Sequence, residues 1–244
     1  MRIKSSAANI SAESVKAFYE HRASSYTGEN LNNITMLNDK NPTLSEERNK
    51  AEIDKLLPKL RIAEDSCVLD LACGAGRWLP VLPEFATYRG IDFSSGLIEI
   101  ARSNNTRANA EFFTGSVLDA DNILADEKGS FNRIMMIGSL MYINDDDVIS
   151  LFRMLPEMMT KEGALICVKA SIGIDDRLTL KDFYSEELQS DYNAIYRTRD
   201  EYMKLFADAL MPSGFIVTDE GFMFDDSHLN NRKETAQYYF ILER

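Results

Sequence analysis

The sequence predicts a single doubly wound α/β domain with a mostly parallel sheet. Short apolar runs recur along the chain, segments able to form a helix or a loop separate them, and the first run ends in a glycine-containing turn. A chain of 244 residues has room for one large domain with an appendage, and 45% hydrophobic and 27% charged content is ordinary for a protein with a substantial core. No internal repeat or low-complexity segment interrupts it.

The elements follow in order. Ser11 is a candidate cap for a first helix reaching about Tyr26, because Val15, Phe18, Tyr19 and Tyr26 fall near helical spacing. A polar stretch with Gly28 and several Asn follows, and Pro42 opens a second helix to about Leu57 whose apolar face holds Ile53, Leu56 and Leu57. Strands are expected at 67–72, 88–92, 110–114, 131–137 and 164–169. Thr198 and Glu201 have the spacing of a capping box, and Tyr202, Leu205, Phe206 and Leu210 continue the helical period until Pro212 and Gly214 end it. Two last strands, 215–218 and 237–242, would close one edge.

Charge and composition exclude several classes. The net charge of −12 opposes binding to a polyphosphate, and the Lys and Arg residues form no basic run, so no nucleic-acid partner is expected. Cys67, Cys73 and Cys167 are odd in number and lack metal-site spacing, so no metal is expected and a reducing cytoplasm fits. Residues 1–10 are polar, with no signal-peptide pattern, and no window approaches the ~20 apolar residues of a membrane span.

The chemistry concentrates in Asp70-Leu71-Ala72-Cys73-Gly74-Ala75-Gly76-Arg77-Trp78, which joins the first expected strand to an expected helix. Gly74 and Gly76 allow positive φ or a close ligand approach over the strand's carboxyl end. A dinucleotide fingerprint needs a third glycine three places after Gly76, where Leu79 stands. Asp92 ends the next strand about one helix later, where a carboxylate can accept from both ribose hydroxyls; its plainer role is a helix cap.

The run Asp70, Gly74 and Gly76 resembles motif I of the class I S-adenosylmethionine-dependent methyltransferases, with Ala72 where glycine often stands. The segment 88–94 resembles their second motif, and 137–143 resembles the segment between cofactor and substrate. Residues 18–26 resemble the aromatic lid helix of many small-molecule members. This resemblance implies a Rossmann-like, seven-stranded sheet with an antiparallel last strand inserted beside the sixth. It implies a lid over residues 1–60, and a methyltransferase domain over 61–244 with a substrate-covering insertion near 171–197.

It also implies S-adenosylmethionine as cofactor, S-adenosylhomocysteine as product and no metal. Cofactor contacts would come from Tyr26, Asp70, Ala72, Gly74, Gly76, Asp92, Phe93, Ser116, Val117 and Gly138; the family usually has Asp at the place of Ser116. Methyl transfer is an in-line displacement that depends on alignment and water exclusion, so Tyr19, Tyr26 and Tyr142 are expected to shape the catalytic pocket and face the sulfonium. His21 and His228 are read as surface or lid residues. Tyr19, Arg22, Arg48, Tyr142, Lys169, Tyr196 and Arg197 are candidates for binding an anionic or polyhydroxylated substrate, or else structural charges.

The expected activity is methylation of N or O on a small molecule by a cytoplasmic monomer or homodimer. The rivals are a catalytically inert cofactor-binding regulatory module, an RNA or protein methyltransferase, and a nicotinamide oxidoreductase.

Overall fold

The chain opens with a strand that its sequence does not announce. In the computed structural model, which describes residues 1–28, 31–36, 42–186, 188–224, 228–230 and 232–244, β1 (Arg2–Lys4) pairs antiparallel with a strand far along the chain. Helix α1 (Ala12–Ser24) follows, its cap Ser11 accepting from the Ser14 amide at 3.1 Å, a bond worth ~1 kcal/mol. Val15, Tyr19 and Ala23, at i, i+4 spacing, form its buried stripe. Next come α2 (Leu31–Thr35) and α3 (Pro42–Leu60), with Leu56 and Leu60 fully buried. Part of the Asn-rich stretch, 29–30 and 37–41, lies outside the described residues.

The main sheet begins with β2 (Cys67–Leu71) and β3 (Thr87–Asp92). The α-helix expected between them is absent: the glycine turn runs into a single 3-10 turn, Leu79–Val81. Pro80 and Pro83 explain this, since each removes an amide donor and disfavours helical geometry in the residue before it. The chain continues with α4 (Ser95–Asn104), β4 (Ala110–Thr114), α5 (Ala120–Ile123), β5 (Arg133–Ile137) and α6 (Asp145–Met158).

Then come β6 (Leu165–Gly173), β7 (Leu178–Ser185), β8 (Ser190–Tyr196), α7 (Arg199–Ala209), β9 (Ile216–Phe222) and β10 (Thr235–Glu243). The capping box at Thr198 and Glu201 is formed.

The seven-stranded sheet has the order β4-β3-β2-β5-β6-β10-β9. The first five strands pair in parallel, and β10 lies antiparallel between β6 and β9. This is the doubly wound, Rossmann-like architecture with an inserted antiparallel last strand that the sequence resemblance implies. The segment 171–197 supplies β7 and β8, which with β1 make a separate three-stranded sheet in the order β1-β7-β8.

Strand alternation divides the core. Ile166, Val168 and Ala170 of β6 pack with Phe152 and Phe206 on the face of α6 and α7. Leu165 and Cys167 pack with Leu56 and Leu60 of α3 on the other face, which is therefore also the side of Lys169. No helix among the described residues is long and apolar enough to cross a membrane.

Candidate functional site

The carboxyl ends of β2, β3 and β5 meet at one cavity of about 190 Å³, the location where parallel sheets of this topology take ligands. Its floor is the turn after β2, where Ala72, Gly74 and Gly76 all have positive φ, at 61°, 57° and 74°. A Cβ on Gly74 would stand 3.1 Å from the Thr35 methyl, and one on Gly76 3.1 Å from the Phe112 ring, so both positions favour glycine by backbone conformation and by tight space. Ala72 holds the same conformation with its Cβ in place, at a cost of ~1–2 kcal/mol.

Asp92 locks this turn to β3. Its Oδ2 accepts from the Gly74 amide at 2.9 Å and its Oδ1 from the Ser94 amide at 2.9 Å. An ionised carboxylate has about four acceptor sites, so lone pairs remain for a ligand at the cavity wall that Asp92 lines. Burial pushes its pKa up to about 6 against the opposing pull of the two amides, with the Glu20 charge adding to the rise.

The first helix is tied to the same place. Glu20 of α1 accepts from the Ser95 amide at 2.7 Å and the Gly96 amide at 3.2 Å, capping α4 from outside. These bonds outweigh its desolvation and hold its carboxyl below the usual range. At Gly96 a Cβ would come within 2.8 Å of the Ala23 Cβ, so the two helices meet backbone to side chain.

Tyr19 of α1 and Tyr142, which follows β5, line the cavity with their ring centroids 5.5 Å apart, and Phe93 stands 6.4 Å from Tyr19. Tyr142 bonds hydroxyl to hydroxyl with Tyr192 of β8 at 2.8 Å, which joins the three-stranded sheet to the cavity. Burial raises the pKa of Tyr19, Tyr142 and Tyr192, so all three hydroxyls stay protonated near neutrality.

At the α3 side, Glu52 is fully buried between Arg77 and Lys169, both of which line the cavity. Burial would raise the Glu52 pKa, but the two cations overcome it and hold it at about 2. Lys169 is lowered by its own burial, with Glu52 opposing.

Of the residues expected at the site, Tyr19, Ala72, Gly74, Asp92, Phe93, Ser116, Val117, Gly138, Tyr142 and Lys169 share this one wall. The others stand elsewhere. Asp70 lies beneath the turn, its Oδ2 accepting from the Tyr88 hydroxyl at 2.7 Å; burial pushes its pKa up to about 6, with Tyr88 and Arg77 opposing. Gly76 backs onto Phe112, and Tyr26 packs into the cluster of Val15 and Leu97.

Arg22 donates to the Ile34 carbonyl at 2.7 Å, and Arg48 to the Leu229 carbonyl at 2.7 Å. Tyr196 is buried beside Tyr192. Arg197 is fully buried and donates to Asp145 at 2.7 Å, the Leu140 carbonyl at 2.8 Å and the Ile143 carbonyl at 2.6 Å. These bonds commit its guanidinium to pinning the loop after β5.

Sequence reasoning missed Glu52, Arg77, Thr35, Asn144 and Asp147. Arg77 sits inside the motif run, but its partner Glu52 is 25 positions away and neither position carries a local signal. Asp147 lines the wall with Ser116, Val117 and Leu118, because the first turn of α6 packs on the 3-10 turn Val117–Asp119. His21 is exposed on α1, and His228 stands 3.3 Å from Glu47. Neither lines the cavity.

Sheet order, turn and strand-end carboxylate together have the arrangement of the class I methyltransferase fold. The model of a methyltransferase domain matches residues 68–163, from the first parallel strand to the segment before β6. No curated protein matches the chain by sequence.

Among solved structures, phosphoethanolamine N-methyltransferase 1 of Haemonchus contortus, in complex with phosphoethanolamine and S-adenosylhomocysteine, has a TM-score of 0.71 at 19% identity. That match covers 96% of this chain and 50% of the other. A geranyl diphosphate C-methyltransferase of Streptomyces coelicolor A3(2) has a TM-score of 0.64 at 12% identity, covering 98% and 100%. A S-adenosylmethionine-dependent methyltransferase of Leishmania major has a TM-score of 0.63 at 16% identity, covering 93% and 83%. At these identities the likeness is one of fold.

Proposed function

We propose that the chain transfers a methyl group from S-adenosylmethionine to an N or O acceptor on a small molecule. The observation that carries this reading is the closed link between the Gly74 amide and Asp92, which holds a glycine turn and a partly satisfied carboxylate on one cavity wall. That wall fits the cofactor: Asp92 has acceptor capacity for two ribose hydroxyls, and the side-chain-free backbone at Gly74 and Gly138 leaves space above the strand ends.

When bound, the cofactor supplies a methyl group on a cationic sulfur. Phe93, Val117 and Leu97 form an apolar bed for the base, and Asp147 brings a carboxylate to the end where Ser116 stands in place of the family's Asp. Tyr19 and Tyr142 turn aromatic surface toward the cavity, which favours positive charge and keeps water out. Their hydroxyls stay protonated and so supply no general base, and the wall suits an amine, which can lose its proton to water, better than an alcohol.

Residues 1–60 act as a lid, clamped by Glu20, over a catalytic domain of 61–244, with 171–197 covering the acceptor through Tyr192. A net charge of −12 supports a small acceptor over a nucleic acid, and a cytoplasmic monomer or homodimer is part of this reading.

The test is incubation of the chain and S-adenosylmethionine with a panel of small amines, alcohols and acids, read by mass. A product heavier by one methylene unit is expected. Cofactor binding without product from any acceptor would make the chain an inert binding module instead.

A further inference from the structure

We propose that Asn144 is a two-position latch: its side chain holds the strap that leads into α1, and on release it turns to cap α6, which opens the cavity at Ala12. Asn144 stands immediately before α6 with the backbone conformation of a helix cap, φ −68° and ψ 162°, yet its side chain makes no bond to that helix. Its Oδ1 accepts instead from the Ile10 amide at 2.9 Å, and its Nδ2 donates to the Ile10 carbonyl at 3.2 Å. One side-chain amide thus engages both backbone groups of a residue 134 positions away.

The strap is tied at this point and at little else. β1 fixes the chain as far as Lys4, the Ser5 amide donates to the Arg177 carbonyl at 3.0 Å, and Ser11 caps α1. Between these ties Ser6, Ala7 and Asn9 are exposed, and the two bonds to Asn144 are the only hydrogen bonds on residues 6–10 among the described residues. The Ile10 side chain packs with Val15, Tyr19 and Ile195. Further along α1, Glu20 remains bonded to the Ser95 amide at 2.7 Å, so release frees the strap and the first turn of α1, where Ala12 lines the cavity beside Asn144.

The post that carries the latch is rigid. Asp145, next in the chain, accepts from Arg197 at 2.7 Å and from Arg177 at 2.8 Å, and Arg177 reaches Glu201 at 3.1 Å. Arg197 also holds the Leu140 and Ile143 carbonyls. The strap is therefore the movable partner.

Exchange of partners keeps the cost of release small. A freed Asn144 side chain can accept from the Asp146 or Asp147 amide by rotation alone, because its backbone already has the cap conformation. Two bonds are given up and one is gained, where a side chain with no second partner would recover none. While the latch is closed, Asp145, Asp146 and Asp147 support the uncapped helix end by their charge. The latch does not depend on the methyl-donor reading, since any ligand of the cavity would meet the same strap.

The experiment follows amide hydrogen exchange by magnetic resonance, with urea unfolding, on the full chain and on Ile10→Pro, Asn144→Ala and the double variant. Ile10→Pro deletes the amide that Asn144 accepts from. In wild type the Ile10 amide should exchange through a local opening that low urea does not accelerate. In Ile10→Pro the Asp146 or Asp147 amide should exchange about tenfold more slowly than in wild type, and adding Asn144→Ala should abolish that protection.

Asn144→Ala should also lower the urea midpoint further in the Ile10→Pro background, because a cap is lost there. Unchanged exchange at Asp146 and Asp147 in Ile10→Pro, or no further loss of stability in the double variant, would make Asn144 a plain tie and overturn the proposal. An Ile10 amide that exchanges only with global unfolding overturns it as well, and that wild-type measurement decides by itself should a variant not fold.

Discussion

Replacing Glu52 by Gln removes a fully buried negative charge and leaves Arg77 and Lys169 facing each other in the interior. The Glu52 carboxyl has a folded pKa of about 2 against an ordinary value of 4.5. At ~1.36 kcal/mol per unit this corresponds to about 3 kcal/mol, within the range of ~3–5 kcal/mol for breaking a buried pair from one side. Because the folded value is the depressed one, this stability is complete above pH 4.5 and is lost as pH falls toward 2.

Asp70 and Asp92 act in the opposite sense. Each has a folded pKa of about 6 against 3.8, so each favours the folded state below pH 3.8 and ceases to do so as pH rises through 6. Both are present in wild type and variant and largely cancel in the difference. Urea unfolding at pH 7 should show Glu52→Gln less stable by about 3–5 kcal/mol at equal slope, the gap narrowing toward pH 3. A gap below about 1 kcal/mol at pH 7, or one that does not change with pH, would refute the reasoning.

Asp92→Ala should weaken S-adenosylhomocysteine at least a hundredfold by calorimetry, since two charge-assisted bonds at ~1.5–3 kcal/mol each are lost. In wild type the affinity should be full above pH 6 and fall as pH drops through it, because hydroxyl donors favour the ionised carboxyl; a flat profile would remove Asp92 from the site. Ala72→Gly should raise the unfolding free energy by roughly 0.5–1 kcal/mol, relief of left-handed strain less the added freedom of the unfolded chain, and a loss of stability would contradict the strain. Arg197→Met should cost about 2–4 kcal/mol in thermal unfolding by stranding the Leu140 and Ile143 carbonyls, and an unchanged midpoint would show that those bonds contribute nothing.

The parallel sheet was legible because its strands are buried on both faces and stand out as apolar runs, such as Leu165 to Val168, bounded by turns. The Gly74 to Asp92 spacing was legible for a related reason: one crossover separates the two strand ends that a nucleoside must bridge. Strand β1 was not, since three residues, two of them charged, carry no alternation, and their partner lies at Leu178–Leu180.

The helix expected after the glycine turn left out the local signal of Pro80 and Pro83. Arg197 and Lys169 show the limit most clearly. Both were read as candidate substrate cations, yet one is fully buried on carbonyls and Asp145 while the other reaches the cavity, a difference set by tertiary packing and not by neighbouring residues.

The central claim is that the turn after β2 and the carboxylate ending β3 hold an adenosyl methyl donor. Calorimetric titration of the folded full chain with S-adenosylhomocysteine at pH 7.5 tests it most directly. One saturable site per chain, strengthening the fold against heat as the nucleoside is added, is the expected result. No heat and no stabilisation from either S-adenosylhomocysteine or S-adenosylmethionine would contradict the account.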